Sequence, residues 1–124
     1  PHTGFAFFSP CLGTPWLCLS GGEWAEPMPA QVPFYCVLPN CKYYPCNNGN
    51  KKFECRLRLK LKRPIKCMSD LNQKQEDILL GIEKLLSSSY SFNEAFSDYE
   101  NLAKENQVNL KKLWRIKADN TSAN

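Results

Sequence analysis

Ser91-Phe92-Asn93-Glu94-Ala95-Phe96-Ser97-Asp98-Tyr99-Glu100-Asn101-Leu102-Ala103 is the stretch on which the fold of this chain turns. Ser91 and Glu94 have the spacing of a capping box. The Ser hydroxyl accepts from the Glu94 amide and the Glu carboxylate accepts from the Ser91 amide, so two donors orphaned by a helix start are satisfied together. Tyr90 and Ala95 hold the flanking positions whose side chains meet across that first turn. Phe92, Ala95, Phe96, Tyr99, Leu102 and Ala103 then recur every three or four residues, the apolar face of a helix.

A second helix is predicted upstream, over about 70–87. Ser69 or Asp70 is placed to cap it, and Asp70 with Gln73 has capping-box spacing. Leu71, Ile78, Leu79, Ile82, Leu85 and Leu86 mark its apolar face, while Gln73, Lys74, Glu76, Asp77, Glu83 and Lys84 stay mainly polar. Ser87-Ser88-Ser89 ends it.

Downstream, two continuations are open. In the first the helix breaks near Asn106-Gln107, Asn109 caps a third helix, and Leu110, Leu113, Trp114 and Ile116 bury against the other two. In the second one helix runs from 92 to about 118 with Asn106 and Asn109 at inward positions, where Asn weakens a helical seam. Two asparagines so close together favour the break.

With the break, Leu102-Ala103-Lys104-Glu105-Asn106-Gln107-Val108-Asn109-Leu110-Lys111-Lys112-Leu113-Trp114-Arg115-Ile116 resembles a helix-turn-helix DNA-binding unit, the likeness covering residues 92–117. The resemblance implies that Ala103 lets two helices cross closely and that Val108 packs inside the turn. It implies that Asn109 caps a recognition helix anchored by Leu113 and Ile116. Lys111, Lys112, Arg115 and Lys117 would then face DNA. The chain departs from the family at the turn, where Asn106-Gln107 replaces an apolar residue and glycine. Without the break, Tyr99–Asp119 resembles the helical linkers that precede output domains in signalling proteins.

The rest of the chain differs in kind. Residues 1–67 hold all seven cysteines and all nine prolines. They carry nine Lys/Arg against Glu23, Glu26 and Glu54; residues 68–124 carry seven Lys/Arg against nine acids and have no Cys or Pro. The change at Cys67-Met68 predicts two regions, an irregular Cys/Pro-rich basic segment (1–67) and a helical domain (68–124). Regions this small need each other, a metal, disulfides or a partner for stability. The fold class expected is mainly α: a helical hairpin or three-helix unit after a loop-rich segment with at most a short β-hairpin. Strands are expected only within about 34–62. Asn48-Gly49 suits a tight turn, and Lys52–Lys62 would be the return strand. In that strand Phe53, Cys55, Leu57, Leu59 and Leu61 alternate with Arg56, Arg58, Lys60 and Lys62, giving a cationic ridge on one side.

Cysteines at 11, 18, 36, 41, 46, 55 and 67 admit three states: a disulfide framework with one thiol left over, zinc held by Cys36, Cys41, Cys46 and Cys55, or unpaired thiols in a reducing compartment. The block spacing is wider than a zinc knuckle, and no metal or cofactor is expected. Enzyme classes find no support. His2 is the only histidine, no Gly-rich phosphate loop occurs, and no carboxylate pair lies in an apolar setting that would tune its pKa. The apolar residues of 5–19 are interrupted by Pro10 and Pro15 and fall far short of the roughly 20 that span a bilayer. No membrane span is expected, and an intracellular location is favoured over a secreted one. What remains is a non-enzymatic binding protein. Its expected ligand is nucleic acid or another polyanion, met through Arg56, Arg58, Lys60, Lys62, Lys111, Lys112, Arg115 and Lys117. The alternatives are a helical protein-interaction or oligomerisation module and a small secreted disulfide-containing protein.

Overall fold

A computed structural model describes residues 8, 10–22, 31–46, 55 and 66–108, and every structural statement below concerns these. In chain order they form strand β1 (Trp16–Leu19), strand β2 (Phe34–Val37), a short helix α1 (Lys66–Ser69), a 3-10 turn (Asp70–Gln73), helix α2 (Gln75–Leu86) and helix α3 (Phe92–Glu105). The architecture is mainly helical with a short β element.

The two strands pair in parallel, Trp16 opposite Phe34, Leu17 opposite Tyr35, Cys18 opposite Cys36 and Leu19 opposite Val37. This corrects two expectations. β1 lies outside the predicted 34–62 window, and the described strands are not the arms of a hairpin. The physical reason is in the burial: every residue from Phe34 to Leu38 is buried. A strand covered on both faces reads as an unbroken apolar run, the habit of parallel sheets, and its partner comes from a crossover instead of an adjacent turn. The Asn48-Gly49 turn and the return strand lie outside the described residues, Cys55 excepted.

β2 is the common floor for both helices. Phe34, Cys36 and Leu38 join Tyr44 and α3's Ala95, Tyr99 and Ala103, with Val108, in one buried cluster. Phe34 is its hub, with ring centroids 5.9 Å from Trp16, 5.8 Å from Phe92 and 5.9 Å from Tyr99. Tyr35, one residue on and so on the other side of the pleat, presses against α2. A Cβ added at Gly81 would stand 2.9 Å from Tyr35 Cε1, so only glycine permits this approach. The Cys-rich and helical regions therefore share one core, and the composition change at Cys67-Met68 falls inside α1.

α3 begins as its sequence dictates. Glu94 N donates to Ser91 Oγ at 3.2 Å and Ser91 N donates to Glu94 Oε2 at 2.9 Å. It ends at Glu105, which rules out a single helix to 118. Gln107 adopts φ 55°, its amide donates to Lys104 O at 3.1 Å, and the Val108 amide donates to Ala103 O at 3.2 Å. These two bonds make a Schellman stop, here with Gln where Gly is usual. Val108 and Ala103, 6% and 0% exposed, supply its apolar contact.

The upstream helix is corrected more heavily. It is not continuous over 70–87: Asp70–Gln73 is a 3-10 turn without a side-chain cap, and α2 starts only at Gln75. Lys74, at φ −111° and ψ 24°, forms the joint. Its ammonium donates to the Leu38 carbonyl and, at 2.7 Å, to Asn106 Oδ1, so tertiary bonds override the local helix signal. The apolar face also differs. Approach through Gly81 turns Asp77, Ile78, Lys84 and Leu85 inward to half-buried positions. Leu79 is left 60% exposed and Leu86 82%, with Leu80 and Ile82 also exposed.

Candidate functional site

None of the eight predicted contact residues can be placed against the fold. Arg56, Arg58, Lys60, Lys62, Lys111, Lys112, Arg115 and Lys117 all lie outside the described residues. The structure does define the stretch that precedes the second basic cluster in sequence. Val108, directly after the Gln107 turn, is the last described residue before that cluster and is seated in the core. Asn106 is fixed there three ways: its amide N–H donates to Leu102 O at 2.9 Å, its side chain donates to the same carbonyl at 2.8 Å, and Lys74 donates to its Oδ1. Burial holds the Lys74 ammonium below the ordinary lysine range, an effect that the charges of Asp77 and Asp70 oppose. With two oxygens accepting from it, this lysine is a structural tie.

A polar hollow that the sequence did not announce opens where α2 hands over to α3. It has a volume of about 380 Å³ and is bordered by Lys84, Ser87, Tyr90, Glu94, Ser97 and Asp98. Lys84 Nζ lies 2.6 Å from Asp98 Oδ2, and Tyr90 OH donates to the same oxygen at 2.8 Å. The ammonium also sits 5.7 Å from the Tyr90 ring centroid and 6.0 Å from that of Tyr35, close enough for cation–π attraction. Burial raises the Tyr35 phenol to about 12, helped by the negative charges of Asp77, Asp98 and Glu105. Burial also raises Tyr90, and its bond to Asp98 adds to this. Both phenols therefore keep their protons at neutral pH, far from the poise a general base needs. The Lys84 charge is matched by Asp98, and Glu94 adds a negative charge, so the hollow does not attract phosphate. Its arrangement ties α2 to α3. Lys84, Tyr90 and Asp98 are separated along the chain by no motif spacing, so no local signal could have revealed the cluster.

All seven cysteines are thiols, with no disulfide between them. Cys67 packs against Gly21, where an added Cβ would lie 3.3 Å from its Sγ. Burial pushes its thiol up, partly offset by a hydrogen bond from the Gly22 backbone, which is the reverse of an activated nucleophile. Among the described residues no group of three or more His, Cys, Asp or Glu is placed to hold a metal ion, and no helix is long and apolar enough to cross a membrane. No family model matches the chain, and no curated protein or solved structure does so either.

Proposed function

We propose that this chain is a non-enzymatic binding protein that grips a polyanion, duplex DNA foremost, with the basic residues that follow the Gln107 turn. The observation that carries the reading is the end of α3. The left-handed Gln107 and the seated Val108 stop the helix and redirect the chain immediately before Lys111, Lys112, Arg115 and Lys117. A recognition helix needs such a turn ahead of it. Charge adds support. From Met68 to Val108 there are three lysines against eight acids, so α2 and α3 repel phosphate while the cations gather beyond the turn and along Arg56–Lys62.

The test is binding of the intact chain to random duplex DNA across a salt series. Affinity should fall log-linearly as salt rises, because bound phosphates release counterions. Replacing Lys111, Lys112 and Arg115 by Ala should flatten that slope by about one unit for each phosphate no longer neutralised, with helicity unchanged. An effect confined to neutralising Arg56, Arg58, Lys60 and Lys62 moves the interface to that segment. Absence of binding at low salt rejects the reading.

A second reading, a helical protein-interaction module, is favoured by the outward row Leu79, Ile82 and Leu86 on α2. Association through such a row is apolar and responds little to salt, which separates the two readings in the same experiment.

A further inference from the structure

Parallel pairing sets Cys18 and Cys36 directly opposite each other, two positions along from the Trp16–Phe34 ring stack. In-register partners of a parallel pair point to the same face, and both cysteines belong to the cluster around Phe34. We propose that Cys18 and Cys36 are a redox-active dithiol that undergoes thiol–disulfide exchange with small-molecule disulfides, closing a reversible cross-strand link between β1 and β2. The inference is independent of what the basic segments bind.

The geometry of a parallel pair permits it. Neighbouring strands lie about 4.8 Å apart, inside the roughly 4.4–6.8 Å range of Cα separations that disulfides span. The β-carbons of a disulfide sit about 3.8 Å apart, so closure tilts the two Cα–Cβ bonds toward each other. Strands of four residues, paired only with each other among the described elements, can make that adjustment. A link closed under such a demand is of the labile kind.

The two thiols have unequal surroundings, which assigns their order. Cys18 is half-buried and reachable, whereas Cys36 is 1% exposed. The buried Ser20 hydroxyl donates to Cys18 Sγ at 3.6 Å, support for a thiolate at that sulfur. Cys18 therefore attacks first. It loses its proton to solvent, and its thiolate bonds to one sulfur of the incoming disulfide. The S–S bond breaks, and the leaving thiolate takes a proton from water. Cys36, deprotonated in turn, attacks Cys18 Sγ in the mixed disulfide and expels the second small thiol. Two protein thiols are oxidised and one small disulfide is reduced to two thiols. Cys41, which packs against the same cluster, is the competing partner.

The experiment exposes the reduced, intact chain to glutathione disulfide and maps links by non-reducing peptide mass spectrometry. The expected product is a Cys18–Cys36 link, two hydrogens lighter than the reduced chain. In Cys36→Ser, one glutathione should remain on Cys18; in Cys18→Ser, Cys36 should stay unmodified while the chain is folded. A variant with the other five cysteines replaced by Ser should still close the link. The wild-type map alone decides the matter if a variant fails to fold. A Cys36–Cys41 link, a wild-type product arrested as glutathionylated Cys18, or an unmodified Cys18 would overturn the assignment.

Discussion

Helices α2 and α3 meet the same strand by opposite means. α3 brings side chains to β2: Tyr99 sets its ring edge-on to Phe34, and Ala95 and Ala103 close the space on either side. α2 brings bare backbone, Gly81 against the Tyr35 ring, and is held in place by polar ties at Lys74 and Lys84. A contact made through bulk fills the core with the helix's own apolar face. A contact made through close approach orients the helix by its least bulky position, whatever its leucines prefer. α2 therefore shows solvent much of the apolar surface that a helix ordinarily hides.

The comparison is best broken where bulk matters most. Tyr99→Ala should remove about 3–5 kcal/mol from the unfolding free energy in a denaturant titration, because it deletes a wholly buried ring and leaves a cavity. A loss under about 1 kcal/mol would mean that α3 does not hold the core through this face. A smaller effect is expected at the other contact. Gly81→Ala gains about 1 kcal/mol of helix propensity but forces a methyl group into the Tyr35 ring, an overpacking cost of about 1–3 kcal/mol. The net result should be a lower Tm, and a higher one would refute the close approach. The smallest change belongs to the exposed row. Replacing Leu79 and Leu86 by Ser should alter stability by no more than about 0.5 kcal/mol per site, read from the same titration. A large loss there would show that those leucines are covered in the native protein.

The same contrast explains what can be read in advance. α3 is legible because its determinants are local: Ser91 and Glu94 fix its start, and Asn106-Gln107 its end. The start of α2 is not, because Lys74 answers to Leu38 and Asn106, which lie 36 and 32 residues away in sequence. Its buried face is hidden as well, because a lone glycine carries no weight in an apolar count. β2 falls within the 34–62 window where strands are expected, on the apolar run Phe34-Tyr35-Cys36-Val37-Leu38 between Pro33 and Pro39, although the strand singled out from the sequence is Lys52–Lys62. The position of β1 is not legible, since parallel partners leave no turn signature between them. Of the candidate interface only the departure point is legible, in the break at Asn106-Gln107. The basic residues themselves lie outside the described structure.

Lys74 has a mechanical consequence. Through one ammonium it joins the end of β2, the start of α2 and the asparagine that caps α3, while Val108 is wedged in the core two residues further along. A tug on the chain beyond Val108 therefore does not peel the last turn of α3 away by itself. The load passes into the strand and into the second helix at the same time. The end of α3 is in this sense a braced anchorage, with one cation sharing its load between three elements.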